Sequence, residues 1–235
     1  LGGASQGNGA GPKGGRVTSA RDELLARLHP EGDPFAGFDP TGWADPTDEW
    51  DSHHPWFDQA VAVLQPRVIV EVGSFLGVSS RHFAAGLQRE QLDGVVVCCD
   101  TWLAETVLWS HPRWRAHLRH THGRPEAYKA WMANALAAGL EDYLCPLPMD
   151  SRGAARHLAA LGVTADVLYI DGSHEAGDVY QDLALYWPLL RRGGWLLADD
   201  YHAGFPGLMA DVERFAAERG AAVDVLGIKA RLRKG

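Results

Sequence analysis

Short apolar runs alternating with helical stretches constrain this chain more than any other feature. The runs at residues 68–72, 95–99, 143–147, 167–170 and 195–198 are nearly continuous in apolar side chains. Between and around them, residues 56–64, 79–88, 126–138, 152–161, 176–190 and 207–218 space their apolar positions as helices do. Strands without polar alternation are buried on both faces, so the pattern predicts a doubly wound α/β fold with a mostly parallel, seven-stranded sheet. Residues 223–226 and 229–232, joined through Gly227, predict a C-terminal antiparallel hairpin that completes it.

Two segments precede this regular part. Residues 1–15 are mainly Gly, Ala, Ser and Asn, which bury too little apolar surface to offset their ordering entropy, and are expected to be flexible. Residues 16–55 hold a helix over 17–28, with Leu24, Leu25 and Leu28 on one face, and then a loop rich in Pro, Gly and Asp. Its aromatics Phe35, Phe38, Trp43 and Trp50 favour a functional lid over a linker. Residues 56–235 form the main domain.

Composition narrows the partners. A formal net charge of -8 disfavours nucleic acid, whose recognition rests on clustered Lys and Arg. The basic cluster Lys229, Arg231, Arg233 and Lys234 reads as a solvated strand edge or tail. Cys98, Cys99 and Cys145 lack metal-type spacing and read as reduced core thiols. No run approaches ~18 apolar residues and no secretory pattern opens the sequence, so a cytoplasmic protein without a membrane partner is expected.

The first strand leads into a turn that carries chemistry. Glu71 stands near its end, and Gly73 and Gly77 let backbone approach a ligand closely, with Ser74 and Ser79 beside them. In open α/β sheets ligands bind beyond the carboxyl ends of the strands, at the switch in strand order. A dinucleotide site would want Gly-x-Gly-x-x-Gly, whereas Phe75 and Leu76 occupy this turn. The second strand ends in Asp100, Thr101 and Trp102, where the acid can accept from both ribose hydroxyls and Trp102 either stacks near the base or packs. The third ends in Asp150 and Ser151, with Asp150 either receiving an adenine amino group or capping the next helix. Together these strand ends would grip an adenosine.

A second cluster follows the fourth and fifth strands, where Asp171 precedes Gly172, Ser173 and His174, and Asp199 and Asp200 precede Tyr201 and His202. Three anions at one sheet edge repel at low dielectric, so a positive charge is expected among them. Ligation by Asp171, Asp199 and Asp200 with water and substrate oxygens suits Mg²⁺, or Mn²⁺ or Ca²⁺.

The turn Glu71-x-Gly73-x-x-x-Gly77 with Asp100 resembles the class I S-adenosylmethionine-dependent methyltransferases over residues 56–232. Phe75 in place of a middle glycine is similar to the small, metal-dependent O-methyltransferases. Asp171, Asp199 and Asp200 match the metal ligands of that group, which includes the catechol and caffeoyl-coenzyme A enzymes. The phrase from Ile170 to His174, followed by Asp178, Val179, Asp182 and Leu183, resembles methyltransferases acting on sugar hydroxyls of bacterial natural products. That resemblance implies His174 as general base, with His202 its rival, S-adenosylmethionine as methyl donor, and a small-molecule hydroxyl as acceptor. No equivalent of the catechol enzymes' lysine base is evident, which argues against a catechol substrate.

Two alternatives share these features: a cephalosporin-hydroxylase-like enzyme and a methyltransferase-like module that binds without catalysis. Trp109, His111, Trp114, His117, His120 and His122 mimic a metal sequence, but with no paired acid or cysteine they read as a solvated helix. Residues 105–124 then form an active-site cover or a contact within a homo-oligomer. His53 and His54 reach substrate from the lid or cap the following helix.

Overall fold

The computed structural model describes residues 18–45 and 53–235. The flexibility expected for residues 1–15, and Trp50 in the lid loop, lie outside the described residues. Five parallel strands, β1 (Val68–Val72), β2 (Val95–Cys99), β3 (Leu144–Leu147), β4 (Ala165–Ile170) and β5 (Leu190–Ala198), form the sheet centre. Antiparallel β6 (Asp224–Leu226) and β7 (Lys229–Arg233) extend it in the order β3-β2-β1-β4-β5-β7-β6. The fold is the expected seven-stranded doubly wound sheet with its C-terminal hairpin.

Alternate strand residues face opposite layers. In β4, Val167 and Tyr169 join a core with α2 (Pro55–Leu64), α3 (Val78–Arg89) and α6 (Ala127–Ala137). Leu168 and Ile170 join the other core, with α1 (Ala20–Leu28), α7 (Ser151–Ala160), α8 (Asp178–Tyr186) and α9 (Pro206–Arg219). Both faces are therefore dry, which is why the strands lack polar alternation. The three cysteines are free and buried, as expected.

Local chemistry moves some element ends. α1 starts at Ala20 because Ser19 Oγ accepts from Asp22 N at 3.1 Å while the Asp22 carboxylate accepts from Ser19 N, a reciprocal cap. The helix expected over 176–190 stops at Tyr186, since Pro188 cannot donate to the preceding turn and its ring crowds that turn. The chain tightens into a 3₁₀ turn at Trp187–Leu189, and β5 begins at Leu190 rather than 195.

Two surface expectations are corrected. Lys229 and Arg231 are 3% and 8% exposed, because β7 is an inner strand between β5 and β6 and not a solvated tail. The His/Trp-rich insert is not one solvated helix but two short ones, α4 (Thr106–Ser110) and α5 (Pro112–Arg115), followed by a turn bridged between Thr121 and Arg124. His117 does have an acid partner, Asp45, at 2.9 Å. Arg119 donates to the carbonyls of Gly42, Trp43 and Ala44, and Asn134 Nδ2 donates to Asp45 O at 2.9 Å. The insert and the described part of the N-terminal loop are thus joined by hydrogen bonds. No described helix is long and apolar enough to cross a membrane.

Candidate active site

β1 and β4 are neighbours, while their following strands lie on opposite sides, so the switch in strand order falls between them. The glycine turn after β1 and the acid after β4 meet there. A Cβ on Gly73 would sit 1.9 Å from the Asp171 carbonyl oxygen, and its φ of +87° is left-handed, so only glycine allows this approach. Gly77, φ +81°, likewise leaves no room for a side chain against the Trp131 ring, 2.7 Å from the Cβ position. Phe75 takes a left-handed backbone, φ +40°. Its N–H donates to Asp100 Oδ2 at 2.8 Å and its carbonyl accepts from Trp102 Nε1 at 2.8 Å, which holds the strained turn in place.

Glu71 is wholly buried beneath this turn. Ser74 Oγ and Ser79 Oγ each donate to it at 2.5 Å, and Ser80 Oγ donates as well. Burial raises its pKa against the pull of those hydroxyls. Glu71 therefore organises the turn from below. Asp100 lies at the cleft floor, accepting from Ser74 N, Phe75 N and, at 2.6 Å, Trp102 N, while burial pushes its carboxyl above the ordinary range. Trp102 is 2% exposed and packs on Tyr128 and Trp131, the packing alternative of the two posed for it. Thr101 and Trp102 line a cavity of about 190 Å³ with Arg124, Glu126, Tyr128 and Lys129. Asp150 caps α7 through Gly153 N at 3.0 Å, and Ser151 Oγ donates to Asp182 at 2.5 Å, so both are engaged with the α7–α8 layer.

Beyond β4 and β5 the acids divide. Asp200 adopts a left-handed φ of +52°, which sends adjacent carboxylates in different directions. Asp200 Oδ2 lies 2.7 Å from His174 Nε2, and Asp171 Oδ1 lies 4.0 Å from the same nitrogen. One donor atom from each of Asp171, His174 and Asp200 falls within 4.8 Å of the others. Glu105 Oε2, from the insert, lies 3.4 Å from His174 Nδ1. Asp199 instead points inward, pairs with Lys229 Nζ and accepts from the Tyr169 hydroxyl. The sheet edge thus brings together Asp171, His174 and Asp200 but separates Asp199 from them.

Electrostatics follow this division. Burial opposes charge on His174, yet its bonds to Asp200 and Glu105 push its pKa up to about 10, so the two acids favour its protonated form. Burial would raise Asp200, but His174 pulls its carboxyl below the ordinary range. Burial and the neighbouring Asp199 push Asp171 well up. His202 Nε2 lies farther off, 3.7 Å from Asp200 Oδ1, on a ring 40% exposed. His54 caps α2 by accepting from Trp56 N at 3.2 Å, the capping alternative.

Three participants escaped the sequence reading. Lys229 reads in the sequence as part of a solvated strand edge or tail, although the alternation of the strand it opens hints at burial. Tyr169, two residues before Asp171, was absorbed into an apolar run. Glu105 carries no linear signal, since only folding of the insert brings it to His174.

Fold and site define a Rossmann-like α/β protein whose glycine turn and Asp171 meet at the β1–β4 junction, with an acid–histidine cluster at one side. A model of a methyltransferase domain matches residues 70–201, more than half of the sequence, and the chain belongs to this methyltransferase family. No curated protein matches it significantly. Among solved structures it is similar to the O-methyltransferase TomG from Streptomyces achromogenes in complex with S-adenosylmethionine, with TM-score 0.57 and 17% identity over 93% of this chain and 97% of that one. The O-methyltransferase NovP matches with TM-score 0.56 and 19% identity over 76% and 77%. A TDP-rhamnose 3'-O-methyltransferase of calicheamicin biosynthesis matches with TM-score 0.52 and 21% identity over 77% and 78%.

Proposed function

We propose that this chain transfers a methyl group from S-adenosylmethionine to a hydroxyl of a small molecule, a sugar of a natural product being the acceptor class favoured. The observation that carries this is the contact between the Gly73 turn and the Asp171 backbone, which sets the acid–histidine cluster beside the nucleotide cleft. The S-adenosylmethionine-bound neighbour and the sugar-modifying one support donor and acceptor respectively.

In the reaction the acceptor oxygen attacks the sulfonium methyl; an O–C bond forms, the S–C bond breaks onto sulfur, and the hydroxyl proton leaves to a base. His174 is that base in its neutral form, after it gives up the proton that Asp200 and Glu105 hold on it; its Nδ1 is oriented by Glu105 and its Nε2 lies between Asp171 and Asp200. Asp171 and Asp200 fit a divalent cation, since two carboxylates completed by water and substrate oxygens are a usual Mg²⁺ donor set. Such an ion, when bound, supplies Lewis-acid stabilisation of the developing alkoxide and replaces the imidazolium as counter-charge to the two acids. Holding donor and acceptor in line lowers the entropic part of the barrier.

The 2.7 Å contact between His174 and Asp200 favours a second reading, in which His174 is a third ligand and His202 the base. A nitrogen donor selects first-row transition metals over Mg²⁺. The test is His174→Ala assayed with labelled S-adenosylmethionine. As base, its loss lowers turnover ~10²- to 10⁴-fold while Mn²⁺ affinity stays within a few-fold. As ligand, it loses metal affinity first.

A further inference from the structure

The buried end of the acid cluster contains a cation of its own. Lys229 opens β7 next to Ala230, which pairs with Ala198, so its side chain comes up beside Asp199 at the end of β5. Lys229 is 3% exposed and Asp199 is 7% exposed. The ammonium bonds the Asp199 carboxylate and donates to the Tyr169 hydroxyl at 3.1 Å, and it lies 5.3 Å from the centre of the Phe57 ring. The other Asp199 oxygen accepts from Asp200 N at 2.8 Å. Both oxygens are thus committed inside the protein. Tyr169, having received the bond from Lys229, gives its one proton to Asp199 and stands 3.0 Å from Asp171 Oδ2. Burial and the two carboxylates keep its proton on oxygen.

We infer that Lys229 is a built-in counter-cation that withdraws Asp199 from the divalent-cation set and leaves Asp171 and Asp200 to hold the ion. The inference rests on the cation reading of the site, and it corrects the expectation that Asp171, Asp199 and Asp200 ligate together. Ligation by Asp199 would leave an ammonium buried without a counter-charge, which is strongly destabilising. Lys229 is a positioning residue, since neither substrate nor cation touches it.

The test is Mn²⁺ binding to the full chain, followed by electron paramagnetic resonance, with S-adenosylhomocysteine calorimetry as a check on the nucleotide cleft. Wild type is compared with K229M and with D199N/K229M, in which the buried pair becomes a neutral one of similar size. The double variant is expected to bind Mn²⁺ within about threefold of wild type, and K229M to bind it roughly tenfold more tightly as the freed carboxylate joins the set. A loss of about tenfold or more in the double variant makes Asp199 a ligand and overturns the inference while the cation reading stands. No binding by wild type, with or without binding by K229M, sinks the cation reading and the inference with it. A K229M chain that does not fold beside a double variant that does also supports the pairing.

Discussion

Gly73→Ala tests the contact on which the site depends. The new methyl would require a left-handed φ of +87°, which costs an L-residue roughly 1–2 kcal/mol. It would also lie 1.9 Å from the Asp171 carbonyl oxygen and 2.9 Å from Gly172 Cα, both backbone atoms that no rotamer change can clear. Forced backbone displacement of this kind costs about 1–3 kcal/mol more. Gly162→Ala is the control, because its φ is +65° and no atom lies within 4 Å of the added carbon. Both substitutions reduce the freedom of the unfolded chain alike, so that contribution cancels in the comparison. Urea denaturation should place Gly73→Ala at least ~1 kcal/mol below Gly162→Ala. S-adenosylhomocysteine affinity should fall about tenfold for each ~1.4 kcal/mol of displacement felt at the turn, and should be unchanged in the control. Equal stability of the two variants with equal affinity would refute the close approach of the turn to Asp171.

Other perturbations separate the site's parts. Asp182 is buried, and that burial pushes its pKa up from 3.8 to about 6, so the folded state holds its proton more tightly and stability falls as pH rises through that interval. Asp182→Asn keeps an acceptor for Ser151, and should exceed wild-type stability by about 2–3 kcal/mol at pH 8 but not at pH 4, measured by denaturant melts; a pH-independent difference would remove the assigned cause. Glu105→Gln should slow turnover roughly 10- to 100-fold through loss of His174 orientation. Because Glu105 raises the His174 pKa, the ascending limb of the pH profile should move to lower pH, with nucleotide affinity retained. An unaltered profile would mean that the insert does not act on His174.

The fold was legible because burial on both faces writes near-continuous apolar runs into the five parallel strands, while Ser19 and Pro188 set element ends that the apolar pattern does not mark. The turn was legible because glycine has few other uses at a strand end. Less visible was the direction in which each strand-end side chain points. Asp199 and Asp200 are adjacent and chemically identical, yet a left-handed φ at Asp200 turns one toward Lys229 and the other toward His174. Partners far apart in sequence, Asp199 with Lys229 and Glu105 with His174, arise from sheet register and from the insert, neither of which linear spacing encodes. Asp150 shows the converse: an acid placed correctly at a strand end whose local duty is to cap α7.

Methyl transfer itself is the direct measurement. Labelled S-adenosylmethionine, incubated with the chain and a panel of sugar and phenol acceptors with Mg²⁺ or Mn²⁺ and again with excess chelator, should yield an O-methyl product only in the metal arms, while calorimetry shows S-adenosylhomocysteine bound in both. Binding without transfer to any hydroxyl would leave a non-catalytic nucleotide module, and undiminished transfer in chelator would remove the cation from Asp171 and Asp200.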